Sequence, residues 1–211
     1  MAVKRSVRAR AIIVLALGYL IGLAAYPYLS GPFLENTLSA RYQVAFTLPT
    51  TALVIYVVFR SLWTHDHVRS GNGAFESTYH AIVFWALLFV LALQTLVMIE
   101  LTAAMDMIGV RLLSPRAVIV LFGLVLTAIG NLLPRTRPNV AVGVRTTRTL
   151  ANAQLWQQVH RVGGYATVSL GIVIAFTGLV FTHEAIGAVV GPAAIVAAST
   201  VFVSYRKHAR A

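Results

Sequence analysis

Six apolar stretches constrain this chain before anything else does, because each is close to the roughly 20 residues a helix needs to cross a bilayer. They run at approximately 11–29, 43–63, 80–105, 117–133, 164–182 and 185–205. Lipid offers no partner to a bare peptide group, so a chain with several such stretches is held to helices that satisfy their own backbones. The charged fraction of 11% falls well below the roughly 25% of an ordinary soluble domain. With a hydrophobic fraction of 58% and a mean hydropathy of +0.79, it excludes disorder, a fibrous chain and a typical soluble enzyme. Cysteine is absent, which removes disulfides, thiolate nucleophiles, cysteine-ligated zinc and iron–sulfur clusters.

The charge is lopsided in amount and in place. There are 17 Lys and Arg against 6 Asp and Glu, a net +11. Counted over alternate loops, one side holds Lys4, Arg5, Arg8, Arg10, Arg60, Arg69, Arg135, Arg137, Arg145, Arg148, Arg161, Arg206, Lys207 and Arg210; the other holds Arg41, Arg111 and Arg116. Basic residues accumulate in cytoplasmic loops, so both termini are expected in the cytoplasm. This topology explains the high isoelectric point without a nucleic-acid partner. The basic start before the first apolar stretch reads as a signal anchor, since the run is long and Leu23-Ala24-Ala25 is a poor cleavage site.

The long inner loop at 134–163 carries the most informative residues. From Met107 to His183 there is no Asp or Glu, yet the segment contains Arg111, Arg116, Arg135, Arg137, Arg145, Arg148 and Arg161. A guanidinium presents a planar fork of donors suited to phosphate or carboxylate, and these arginines have no carboxylate in their own segment. Pro134 and Pro138 bracket Arg135 and Arg137 and stop the fourth helix. Gly143 permits a turn or a close backbone approach. Thr149 is the expected N-cap of a short amphipathic helix ending before Gly163-Gly164. Leu155, Val159 and Val162 form its apolar stripe, with Trp156 beside it as an interfacial aromatic.

The ordered run Gly130-Asn131-x-x-Pro134-Arg135-x-Arg137-Pro138-Asn139, then Gly143-x-Arg145-Thr146, Thr149-Leu150-x-Asn152, Trp156 and His160-Arg161-x-Gly163-Gly164 resembles the SdpI family of membrane proteins. The resemblance covers approximately residues 117–185. That family's pattern is roughly Gly-Asn-x-x-Pro-Lys-x-Lys/Arg-Pro-Asn, Gly-x-Arg-Thr-Pro-Trp-Thr-Leu, then Trp…His-Arg-x-Gly-Gly. This chain departs from it at Thr147-Arg148, where the family has Pro-Trp, and at Asn152-Ala153, where it has Asn-Glu. The stretch from Tyr26 to Asn36 also lacks the Pro-x-His-Trp-Asn-like motif that many members carry between their first two spans. The resemblance implies a protein of the bacterial cytoplasmic (inner) membrane that protects its cell from a secreted toxin peptide. It also implies signalling, by holding a transcriptional repressor at the membrane.

Other candidates have plainer readings. His65-Asp66-His67, Glu76 and His80 are metal-ligating types, but His residues two apart do not share a helix face and the intervening loop is Gly-rich. They are read as a solvated loop or a headgroup contact, with no metal. Glu76 and His80 make a polar entry to the third span. Glu100 is expected at the outer interface, paired with Arg111 or Arg116, rather than in a transport path. Gln94, Thr95 and Thr127 are expected to hydrogen-bond between helices. Gly18 and Gly22, and likewise Gly187 and Gly191, have the spacing of close helix packing. His160 has no nucleophile or carboxylate nearby in sequence, so anchoring or phosphate contact is expected rather than general-base chemistry.

The sequence therefore predicts an all-α, six-span membrane protein with a structured cytoplasmic loop containing a short amphipathic helix between the fourth and fifth spans. Residues 1–116 form an N-terminal three-span region. Residues 117–211 form an SdpI-like C-terminal three-span region carrying the motif 130–164. The expected function is SdpI-like immunity or signalling, with the Arg-rich loop binding an acidic protein partner or anionic lipid headgroups. The binding candidates are Asn131, Arg135, Arg137, Asn139, Arg145, Arg148, Asn152, Trp156, His160 and Arg161. Pro134, Pro138, Gly143, Thr149, Gly163 and Gly164 shape the loop. No catalytic residue, cofactor or metal is assigned. The alternative is a transporter of lipid or small anions, or a lipid-modifying enzyme, whose inner loop would be a headgroup pocket.

Overall fold

The structure, a computed structural model, describes residues 2–29, 38–70, 76–102, 115–181 and 183–209. It is all-helical. The helices are α1 (Ala2–Ala25), α2 (Leu38–Ser70), α3 (Glu76–Glu100), α4 (Pro115–Leu132), the short α5 (Thr147–Ala151), α6 (Ala153–Val180) and α7 (His183–Ala209). Six of them are long and apolar enough to cross a membrane, which makes the chain a multi-pass membrane protein. The side chains of Asp66, His67 and Glu76 and the whole of Arg111 lie outside the described residues, and with them the readings built on those side chains, but the backbone at His65, Asp66 and His67 continues α2 rather than forming the expected loop.

The helices fall into two groups. α1, α2 and α3 pack on one another; α6 packs on both α4 and α7; α3 against α4 joins the groups. An antiparallel bridge between Leu29 and Thr102 ties the end of α1 to the end of α3. At the opposite end Ala11, Val14, Trp63, Tyr79 and Val83 form a buried apolar cluster. Trp63 lies 5.0 Å from the Tyr79 ring, and the Tyr79 hydroxyl donates to the Phe59 carbonyl at 2.5 Å.

Helix contacts in lipid depend on close backbone approach, because lipid tails are as apolar as the side chains they touch. The tightest contact, α4 against α6, uses glycines seven residues apart: Gly123 and Gly130 on α4, Gly164, Gly171 and Gly178 on α6. Seven residues are nearly two helical turns, so each set shares a face. A Cβ on Gly171 would stand 2.6 Å from Thr127 N and 2.7 Å from Gly123 O, and one on Gly123 would stand 2.5 Å from Gly171 O. The Gly18–Gly22 pair serves the same purpose against α2, where a Cβ on Gly22 would stand 2.5 Å from the Ala45 carbonyl. Gly187 and Gly191 on α7 meet nothing within 4 Å among the described residues, so their matching spacing packs no described helix.

That Ala45 carbonyl has a further significance. Pro49 lies inside α2, and proline has no N–H to donate to the carbonyl four residues before it. The carbonyl so released belongs to Ala45. The Gln94 side chain of α3 supplies the missing donor, with Nε2 2.8 Å from Ala45 O. Thr95 and Thr127 donate instead to the carbonyls of Leu91 and Gly123 in their own helices. Of the three polar residues expected to bond between helices, Gln94 does so and the two threonines do not, because a hydroxyl in lipid finds its nearest acceptor one turn back.

Candidate functional site

The loop joining α4 to α6 is built from backbone groups captured by a few buried side chains. α4 passes into a single 3-10 turn, Leu133–Arg135, with Pro134 inside it. Thr136 ends that turn in extended backbone and is buried. Its hydroxyl donates to Leu133 O at 2.7 Å and accepts from the Trp156 indole N–H at 3.2 Å. The exit of α4 is thereby fixed to the first turns of α6.

Asn139 organises the next turn. Its Oδ1 accepts from the amides of Ala141 (2.9 Å) and Val142 (2.8 Å), and its Nδ2 donates to the carbonyls of Arg137 (2.7 Å) and Val142 (3.2 Å). A primary amide has two donors and two acceptor positions, and all four are engaged here. The turn delivers Ala141 and Val142 against the apolar cluster of Trp63 and Tyr79. The loop from the second helical group thus packs onto the first.

Val144 is held at both of its backbone groups. Its N–H donates to His160 Nε2 at 2.9 Å, and its carbonyl accepts from the Thr149 hydroxyl at 2.7 Å. Since Nε2 accepts, Nδ1 carries the ring proton and donates to Trp156 O at 2.8 Å. Trp156 and His160 stack with ring centroids 3.9 Å apart and planes 12° apart, both buried. Gly143 turns past this pair at φ 111°, and a Cβ there would overlap the imidazole. Glycine is demanded twice over, by the backbone angle and by the ring.

Two expectations are corrected here. Thr149 is not an N-cap: Thr146 is, and Thr149 stands three residues on, its amide donating to the Thr146 hydroxyl and its hydroxyl accepting from the Thr146 amide. The reciprocal pair closes a capping box. Nor does the short helix run to Gly163-Gly164. Asn152 leaves helical geometry at φ −128°, ψ 109°, and starts α6 by accepting from the amides of Gln154 and Leu155. The glycine pair lies inside α6, where Gly164 admits Pro134 to the helix surface; a Cβ there would stand 2.7 Å from the proline ring. Accordingly Trp156 is a fully buried part of a long helix rather than an interfacial side chain. At 1.5 Å per residue the 28 residues of α6 reach about 42 Å, against a hydrocarbon core of about 30 Å. That length leaves room for its first turns to extend past the core, with the loop folded against them.

The ten binding candidates divide by exposure. Asn139, Trp156 and His160 are buried with their polar atoms bonded inside the loop, and Asn152 spends its side-chain oxygen as a helix cap. Asn131, Arg135, Arg137, Arg145, Arg148 and Arg161 are exposed. Arg145 donates through Nη1 to the Val140 carbonyl of the same loop. The first group makes a frame and the second stands on its surface. Chemically, the arrangement offers cationic forks to an anion and presents no nucleophile paired with a base.

Sequence reasoning missed Thr136, Val144 and Thr146. Thr146 could have been found from the Thr-x-x-Thr spacing, whereas Val144 contributes only backbone and leaves no trace in sequence. Residues 135–204 match the SdpI/YfhL protein family, from the loop through α6 and most of α7. No curated protein and no solved structure gives a significant match to the chain.

Proposed function

With an SdpI/YfhL-family segment at 135–204 as its premise, we propose that this membrane protein acts in immunity or signalling. It would protect the bacterial cytoplasmic membrane against a membrane-active toxin peptide, while its inner loop docks an acidic protein partner or anionic lipid. Both termini face the cytoplasm in this reading, as the alternation of basic residues requires. The observation that carries it is the display of five exposed arginines, Arg135, Arg137, Arg145, Arg148 and Arg161, on a loop held in shape by Asn139, His160 and Thr149. The loop backbone that carries the arginines is braced before any partner arrives, so docking need order only their side chains. The contact of Ala141 and Val142 with the α1–α3 group gives a route by which an event in those helices reaches the loop.

The test is protection of a sensitive bacterial strain against a panel of amphipathic membrane-active peptides. It compares wild type, a variant with all five arginines changed to Gln, and Glu100→Gln, at equal membrane abundance. Protection lost in the first variant and kept in Glu100→Gln is the expected result. Protection kept without the arginines and lost with Glu100 would overturn it in favour of a transport mechanism.

A further inference from the structure

A groove of about 720 Å³ lies between α3, α4 and α6, at the junction of the two helical groups. Among the described residues its wall is apolar apart from Thr95 and Arg116, and the Thr95 hydroxyl is already committed to Leu91 O. Arg116 therefore supplies the one charged group. It stands at the first turn of α4, at the end of the molecule opposite the arginine loop, and it is exposed. Along α4 the lining runs from Arg116 to Leu124, a rise of about 12 Å at 1.5 Å per residue. One leaflet contributes about half of the roughly 30 Å hydrocarbon core, so the groove is nearly as deep as one leaflet is thick. Its volume lies within the range of about 300–1,000 Å³ that small-molecule sites occupy.

We propose that this groove is a binding site for one anionic glycerophospholipid of the leaflet opposite the arginine loop, with an acyl chain along Leu88, Leu121 and Leu124 and the phosphate on Arg116. Charge complementarity selects the occupant. A guanidinium pairs with phosphate through two parallel hydrogen bonds, a choline headgroup would bring its own cation against Arg116, and the apolar trough leading away suits a hydrocarbon chain. The lipid would bridge α3 to α4 and α6, stabilising the junction where the two groups meet.

The experiment is native mass spectrometry of the full-length protein in detergent, titrated with phosphatidylglycerol or phosphatidylcholine. Wild type, Arg116→Gln and two groove-filling variants, Ala92→Phe and Leu124→Trp, are compared, each checked for a cooperative thermal transition. Wild type should retain one phosphatidylglycerol with a preference over phosphatidylcholine of about fivefold, the factor expected of one basic residue at a lipid surface. Arg116→Gln should bind both lipids equally, and whichever groove-filling variant folds should retain neither. An unchanged preference in Arg116→Gln, or unchanged retention in a folded groove-filling variant, would overturn the proposal. So would displacement of the lipid by inorganic phosphate as readily as by phosphatidylglycerol, since the acyl chain would then contribute nothing.

Discussion

The amide of Val144 donates to Nε2 of His160 across 2.9 Å, joining the loop that leaves the fourth span to the helix that forms the fifth. Imidazole can accept there only while Nε2 is unprotonated, and its other nitrogen is bound to Trp156 O. His160 is thus a fastener for backbone, and the arginines on either side of Val144 inherit their positions from it.

Replacing His160 with Ala should loosen the loop while leaving the spans in place. Leaving this partly buried backbone donor without its acceptor costs about 1 kcal/mol, and the stack on Trp156 is lost as well. The expected outcome is a lower thermal transition and faster tryptic cleavage after Arg145 and Arg148, with membrane insertion unchanged. Cleavage at the wild-type rate would show that the loop is held by other means.

Gly143→Ala should be as damaging, by a different route. A positive φ costs a residue bearing a Cβ about 1–3 kcal/mol, and the methyl group would also overlap the His160 ring. The double variant Gly143→Ala/His160→Ala should lose less than the sum of the two single variants, because the collision disappears with the ring. Thermal unfolding of all four proteins in detergent measures this; strict additivity would count against the contact.

The bond from Gln94 to Ala45 should matter only because of Pro49. Gln94→Leu removes the donor to a carbonyl that α2 cannot satisfy, a loss of about 0.6–1.7 kcal/mol for a hydrogen bond between membrane helices. In a Pro49→Ala background the helix regains its own N–H donor, and Gln94→Leu should become nearly neutral. A double-mutant cycle with equal costs in both backgrounds would refute the compensation.

Glycines of similar sequence appearance should respond unequally to a methyl group. Gly171→Ala drives a Cβ into the backbone of α4, and overpacking of this kind costs about 1–3 kcal/mol. Gly187→Ala and Gly191→Ala meet open space among the described residues and should leave the thermal transition of the monomer where it was or raise it slightly, since alanine favours the helix. Stability lost at Gly187 or Gly191 would mean that α7 packs on something besides α6.

Neutralising the arginine surface should weaken binding to anionic vesicles in steps. Each basic residue near such a surface contributes about 1 kcal/mol, or about fivefold. Single Gln replacements at Arg135, Arg137 and Arg161 should each lower affinity by that factor and steepen no thermal transition, whereas a specific protein docking site would concentrate the loss in one or two of them. Vesicle sedimentation at fixed ionic strength separates the two patterns, since screening is salt-dependent.

Much of the architecture was legible in sequence because hydropathy and helix length are local quantities. The six apolar stretches became the six long helices, and the motif from Gly130 to Gly164 marked the loop where the described structure is most elaborately bonded. Boundaries inside that loop were not legible. Thr149 looks like a cap because threonine often is one, but Thr146 takes the place since its hydroxyl meets the Thr149 amide and Asn152 restarts the helix. Gly163-Gly164 looks like a terminus because glycine ends helices, yet here it is the space that Pro134 fills.

The sequence by itself determined that this chain lives in a membrane, how many times its helices can cross, and where its positive charge gathers, because each follows from runs of side chains transferred between water and lipid. Only the tertiary structure decided which polar residues face outward and which are consumed as fasteners. Asn139 and His160 stand beside the arginines in sequence and are polar as they are, but folding places them against backbone amides and carbonyls of the loop. A buried peptide group must find a partner, and the side chains that meet this need are no longer available to a ligand.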